Sequence, residues 1–242
     1  SVEVITLRDQ GSLDLLQGVF GVNKPEMFVT ADPVLGMTYQ NDGKVSDLIS
    51  SLGFEDKDKP VIGISFAYGV DTREELVSFM AEMSNYVVNQ FGANVVFIPM
   101  NIIAANDLAG SNKVVEQIKL KDSVKVLQLP YSYAEVMNLV GEMDMIISSR
   151  MHLLILSSVT NTPLTGISRV PKTDQFLQNF GLKSIVSTDD LRFEKIKPLL
   201  DTAWKDRNKI KIALKDNQDH MHKRAWDNIK YFNEYILSKM KK

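Results

Sequence analysis

The chain predicts an α/β protein: a Rossmann-like parallel sheet with helices on both faces, followed by a helical carboxyl-terminal tail. Three observations carry this. After Pro60, short apolar runs alternate with longer stretches of helical period, the pattern of repeated βαβ units. The short runs, such as Val61-Ile-Gly-Ile-Ser65 and Met145-Ile-Ile-Ser148, are apolar throughout, as strands covered on both faces must be. From residue 193 onward the chain is charged, with apolar residues returning at helical spacing.

Taken in order, residues 2–7 read as a strand rich in β-branched residues, and residues 9–18 as a helix with Leu13, Leu16 and Phe20 on one stripe. Residues 27–30 form a short strand closed by the turn chemistry of Ala31-Asp32-Pro33. A short helix follows over 44–52. The charged, proline-ended stretch 54–60 reads as a linker. Beyond it come strands over 61–66, 94–99, 124–129, 145–148, 163–167 and 184–186. Helices are expected over 72–91, with an Asp71/Thr72 cap, and over 104–120, interrupted near Gly110. Further helices fall over 133–141, 153–159 and 172–180.

Composition excludes several classes. The 242 residues are 44% hydrophobic and 24% charged, ordinary for a globular protein. A net charge of -2 gives no global reason to expect nucleic acid. The chain has no cysteine, hence no disulfide and no thiolate site, which fits a cytoplasmic setting. No apolar run approaches the roughly 20 residues of a membrane span. Residues 1–8 lack a methionine and begin almost directly in a strand, so a piece of a longer chain is expected.

Right-handed crossovers bring the carboxyl ends of parallel strands to one edge, where open α/β sheets bind ligands. Segments 66–69, 99–101, 129–131, 149–152 and 168–172 are therefore expected on one rim. The most informative is Ser149-Arg150-Met151-His152, at the junction of a strand and a helix. A guanidinium and an imidazole there can hold an anion and move a proton, and free N–H groups of the helix add a positive field. By residue type alone, a helix start with surface contacts is an equal reading; the strand-end position favours function. Arg8 repeats this setting, with Asp9 as the expected cap of the next helix. Arg169 and Lys172 add two cations after the 163–167 strand, in what also reads as a solvated turn. Asp32 reads as a turn residue, and His220 and His222 as surface residues. The basic tail packs as an amphipathic helix or helical pair, with weak affinity for an anionic membrane surface as the minor alternative.

No Gly-x-Gly-x-x-Gly or Walker A loop occurs, and no Gly-x-Ser-x-Gly. No His, Cys or Asp cluster has metal-ligand spacing, so no metal or cofactor is expected.

These motifs resemble the polysaccharide pyruvyl transferase family. The resemblance rests on Asp144-x-x-Ile-x-x-Arg150-x-His152-x-Leu-Ile, followed by Thr162-Pro163, Gly166-Ile167 and Pro171-Lys172-x-Asp-x-Phe176. Leu7-Arg8-Asp9-x-x-Ser12 and Ala31-Asp32-Pro33 precede it in the family's order. The chain departs from the pattern at Ala67-Tyr68-Gly69, where a basic residue is usual, and at Val170, where an acidic or amide residue is usual.

The resemblance implies the carboxyl-terminal lobe of a GT-B-like fold. Residues 1–53 would be the last strand–helix units and linker of a largely missing amino-terminal lobe, 54–192 the Rossmann-like lobe, and 193–242 a packed helical tail. It also implies transfer of pyruvate from phosphoenolpyruvate onto a sugar of a cell-surface glycan or lipid-linked precursor, forming a ketal, in the cytoplasm, with the inner face of the membrane as the alternative place. Phosphoenolpyruvate would be a substrate, with no separate cofactor. Arg150, Arg8, Lys172 and Arg169 would bind the anionic donor, and His152, with Arg150, would form the catalytic pair. Two alternatives stand beside this: a GT-B glycosyltransferase using a nucleotide sugar, and a non-catalytic binding lobe.

Overall fold

The computed structural model describes residues 2–39, 46–54, 56, 58–69, 74–101, 106–128, 130–168, 171–187 and 190–240. They divide into two compact units, one of residues 1–38 with 215–242, the other of residues 39–214.

In the first unit, β1 (Val4–Leu7) pairs in parallel with β2 (Glu26–Val29). Between them lie α1 (Gln10–Asp14) and a π-helical stretch, Leu15–Val19. Asp9 caps α1 as expected, accepting the Ser12 N–H at 2.7 Å. After β2, Asp32 accepts the Val34 N–H at 3.2 Å and starts a 3₁₀ turn, Pro33–Gly36. This is the structural role anticipated for an Asp-Pro pair.

The second unit holds α2 (Ser46–Ser51), β3 (Val61–Ser65), α3 (Glu74–Phe91), β4 (Asn94–Phe97) and α4 (Asp107–Gln117). It continues with β5 (Val124–Val126), α5 (Tyr133–Gly141), β6 (Met145–Ser148) and α6 (Met151–Val159). Then come β7 (Leu164–Ser168), α7 (Pro171–Gln178), β8 (Val186–Ser187) and α8 (Phe193–Lys205). The last helix, α9 (Arg207–Met240), begins in this unit and supplies the carboxyl-terminal residues of the first. There Tyr231 stacks on Phe28 at 3.9 Å, and Arg224 Nη2 donates to the Thr30 carbonyl at 2.6 Å.

The six strands run β5-β4-β3-β6-β7-β8, and all are parallel. The chain starts mid-sheet at β3, steps outward through β4 and β5, then returns to lay β6 against the other side of β3. Ile62 stands opposite Met145, and Ser65 opposite Ser148. The strand order therefore reverses between β3 and β6, which puts the crevice of a doubly wound sheet at their carboxyl ends. This is the Rossmann-like architecture that the alternation predicts.

Every residue of β3, β4, β6 and β7 is buried. On one face Ile62, Ile64, Phe97, Met145 and Ile147 pack with Val77, Met80 and Met83 of α3 and Leu200 of α8. α6 is buried more completely: its seven residues from Leu153 to Val159 are all inaccessible. A helix apolar on every side belongs in a core, and here only its first turn reaches the surface.

Some boundaries differ from expectation. β5 stops at Val126, short of residue 129, which lies outside the described residues. α4 runs unbroken through Gly110, because the absent side chain gives room to the Tyr68 ring: a Cβ there would lie 2.7 Å from Tyr68 Cδ2. The tail is two helices, broken at Asp206. The Asp71/Thr72 cap lies outside the described residues. Among the described residues no helix is long and apolar enough to cross a membrane.

Candidate active site

The junction of β6 and α6 occupies the switch point. Ser148 ends the strand fully buried, and its Oγ accepts the Arg150 N–H at 2.9 Å. Ser149 donates its N–H to the Ser65 carbonyl at 2.9 Å, while its Oγ accepts the Ala67 N–H, also at 2.9 Å. The loops leaving β3 and β6 are thus tied directly together. The buried hydroxyl of Ser65 has no hydrogen-bond partner among the described residues.

Arg150 is the N-cap of α6 and provides no side-chain cap. The Leu153 N–H donates to the Arg150 carbonyl at 3.1 Å, and the two helical N–H groups ahead of it, those of Met151 and His152, have no acceptor within the helix. α5 differs: Ser132 and Glu135 there form a complete capping box, Ser132 Oγ accepting the Glu135 N–H at 3.3 Å. His152 is the second residue of α6 and the one exposed residue of that helix. Its imidazole has no hydrogen-bond partner among the described residues.

The Arg150 side chain turns toward α4. Its Nε donates to Asp107 Oδ2 at 2.9 Å, and its Nη2 donates to Asp107 Oδ1. Asp107 is 1% exposed and the Arg150 side chain 23% exposed. The same carboxylate accepts the N–H groups of Tyr68 at 3.1 Å, Met100 at 3.2 Å and Asn101 at 2.9 Å. One carboxylate thereby gathers the chain after β3, β4 and β6. Residue-by-residue reading missed Asp107, which fell inside the helix expected over 104–120 and outside the segments expected on the rim. Asn106 takes the capping role, accepting the Ala109 N–H at 3.1 Å, which frees Asp107 to turn inward.

Lys172 is exposed in the first turn of α7, after β7 and on the same edge of the sheet. α7 is anchored by Asp174, which accepts from Ser168 Oγ at 2.7 Å and from Ser184 Oγ. Burial opposes ionisation of Asp174, but the hydrogen bonds from Ser184 and Ser168 outweigh it and hold the group below the usual carboxylate range. Arg169, the other cation expected here, lies outside the described residues, as does Val170.

Arg8 belongs to the first unit, at the carboxyl end of β1. Its Nη1 meets Asp32 Oδ2 at 3.4 Å and its Nε lies 3.5 Å from Asp9 Oδ2, with 37% of the side chain exposed. Among the described residues no group of three or more His, Cys, Asp or Glu could hold a metal ion.

The fold is thus a doubly wound parallel α/β sheet, and an arginine, an exposed histidine and a helix start without a side-chain cap lie at its switch point. The chain belongs to the polysaccharide pyruvyl transferase family, whose sequence model matches residues 1–169. No curated protein matches it. Its fold is similar to that of trehalose 6-phosphate synthase from Burkholderia multivorans, with a TM-score of 0.63 at 10% identity over 98% of this chain and 60% of that one. It is also similar to a glycosyltransferase from Rickettsia africae, with a TM-score of 0.62 at 13% identity over 97% and 64% of the two chains. UDP-GlcNAc 2-epimerase from Methanocaldococcus jannaschii, in complex with UDP-GlcNAc and UDP, gives a TM-score of 0.61 at 13% identity over 84% and 54%. At such identities the likeness is one of fold, a GT-B-like α/β arrangement. The chain spans between about half and two thirds of these structures' length.

Proposed function

We propose that this chain is part of a pyruvyl transferase that moves the three-carbon unit of phosphoenolpyruvate onto a saccharide, forming a cyclic ketal on two hydroxyls and releasing inorganic phosphate. Family membership supports the reaction class. The observation that carries the reading onto particular residues is α6. It is buried from Leu153 to Val159, and its one exposed side chain is an imidazole, two residues from an arginine, at the switch point of the sheet.

The donor is small and strongly anionic. Arg150 keeps its Nη1 and one Nη2 hydrogen for a carboxylate or phosphate, and the first-turn N–H groups of α6 add a positive field. Lys172, exposed on the same edge of the sheet, is a further cation for the same anion. His152 is the general acid in this reading, since histidine is the side chain suited to proton transfer near neutral pH. It protonates the methylene carbon of the enol, leaving an oxocarbenium-like centre at the neighbouring carbon. One sugar hydroxyl adds to that centre, the C–O bond to phosphate breaks, and a second hydroxyl closes the ring. Of the two hydroxyl protons, one restores the acid and the other leaves with phosphate. The acceptor is a glycan or a lipid-linked saccharide.

The test is calorimetric titration of the full-length protein with phosphoenolpyruvate and, separately, with UDP- and GDP-sugars, followed by an assay for phosphate release and ketal formation on saccharide acceptors. Phosphoenolpyruvate binding with acceptor-dependent phosphate release is expected. Binding of a nucleotide sugar with none of phosphoenolpyruvate would replace this reading with a glycosyltransferase. Binding without turnover on any acceptor would leave a binding lobe.

A further inference from the structure

We infer that Asp107 is a positioning residue, which fixes the Arg150 guanidinium so that one defined edge faces the anion; this rests on the donor-binding reading above. A guanidinium has two edges able to grip an oxyanion in a fork, one formed by Nε with Nη2 and one by Nη1 with Nη2. Asp107 occupies the first edge, through Nε at 2.9 Å and through Nη2. The second edge makes no hydrogen bond among the described residues, and the side chain is 23% exposed.

The carboxylate is itself held. Tyr68 and Arg150 Nη2 donate to Oδ1, while Met100, Asn101 and Arg150 Nε donate to Oδ2. Three of these donors are backbone N–H groups following β3 and β4, so the carboxylate cannot turn without breaking the loops on both. Arg150 is therefore referenced to β3 and β4, the next two strands on one side of β6, as well as to its own strand. A flexible arginine would have to lose rotamer freedom when an anion arrives; an arginine already held loses little. Pairing also neutralises much of the guanidinium charge, so Arg150 acts through the direction of its donors more than through net charge. The exposed Lys172 has no such partner among the described residues.

Asp107→Asn in the full-length protein tests this. An amide cannot accept on both of its heteroatoms, so the fork opens. The Arg150 Nε–H resonance, identified by its loss in Arg150→Lys, reports the pairing directly. It is expected to exchange slowly with solvent in the wild type and rapidly in Asp107→Asn. The KM for phosphoenolpyruvate should rise about 10- to 100-fold, the worth of a charge-assisted hydrogen bond, with kcat changed less than about threefold. An unchanged Arg150 resonance in Asp107→Asn overturns the inference, as does a fall in kcat at constant KM. Should Asp107→Asn not fold, Arg150→Lys decides. It keeps a cation beside Asp107 but has no second planar edge; wild-type donor affinity overturns the inference, and a loss of about 10- to 100-fold supports it. If the wild type does not bind phosphoenolpyruvate, the donor assignment alone fails, and the arginine resonance still decides whether Asp107 holds Arg150.

Discussion

Arg150 and Asp107 are joined in a fork: Nε donates to Oδ2 at 2.9 Å and Nη2 donates to Oδ1, linking the carboxyl end of β6 to the start of α4. Such a pair has two consequences of opposite character. It costs desolvation to bury, so its net stabilisation is modest, yet removing one partner strands the other in a medium that solvates it poorly.

Arg150→Ala should therefore lower unfolding stability by about 3–5 kcal/mol, because it leaves the buried Asp107 carboxylate without its cation. Arg150→Lys should lose less, since a cation stays within reach. Denaturant unfolding of both variants checks this. A loss under about 1 kcal/mol for Arg150→Ala, the worth of an exposed pair, would show that the carboxylate is not confined as described. Activity of the alanine variant should be read only after its folded fraction is known.

His152 gives the opposite case. It is exposed and unpaired among the described residues, so His152→Gln should change stability by less than about 0.5 kcal/mol. Turnover should fall by roughly two orders of magnitude or more, the range for a general acid. Near-wild-type kcat in a full-length His152→Gln protein would remove the catalytic assignment.

Tyr86 supplies a pH dependence away from the site. Burial first, and then the hydrogen bond at 2.6 Å to Asp201 with that carboxylate's charge, push its phenol up to about 12. Between the ordinary tyrosine value of about 10 and about 12 the folded state retains a proton that the unfolded state releases. Its contribution to stability is therefore whole below pH ~10 and lost as pH rises through ~12. Unfolding midpoints from pH 9 to 12 should show this decline in the wild type and a shallower one in Tyr86→Phe. Equal slopes in the two proteins would count against it.

Gly110→Ala tests the packing of the β3 loop on α4. The new methyl would sit 2.7 Å from Tyr68 Cδ2, so the ring or the helix must shift. Overpacking of this kind costs about 1–3 kcal/mol, against about 1 kcal/mol gained in helix propensity. A net loss of stability is expected in denaturant unfolding, and a more stable variant would show that Tyr68 yields freely.

The parts legible in the sequence were those set by local chemistry. Apolar runs such as Val61–Ser65 and Met145–Ser148 announced buried parallel strands, because only strands covered on both faces can be apolar throughout. Asp9 and Asp32 were legible as a cap and a turn, since each bonds a backbone N–H within three residues. The break expected near Gly110 did not form, because glycine's usual penalty in a helix is offset there by a ring contributed from Tyr68, 42 positions away. Asp107 went unnoticed for a similar reason: nothing local separates a first-turn aspartate that faces water from one that faces the sheet.

By itself the sequence determined the class of fold, the order of its strands and helices, and the Arg150-Met-His152 junction at a strand's end. These depend on periodicity and on neighbours a few residues apart, where the backbone geometry dictates the outcome. The tertiary structure decided that β6 lies beside β3, that the junction therefore falls at the reversal of strand order, and that His152 alone surfaces from α6. It also decided that Arg150 is gripped by a carboxylate 43 residues earlier in the chain. Such pairings arise when distant segments are buried together, where an ionised group must find a partner because water is no longer there to solvate it.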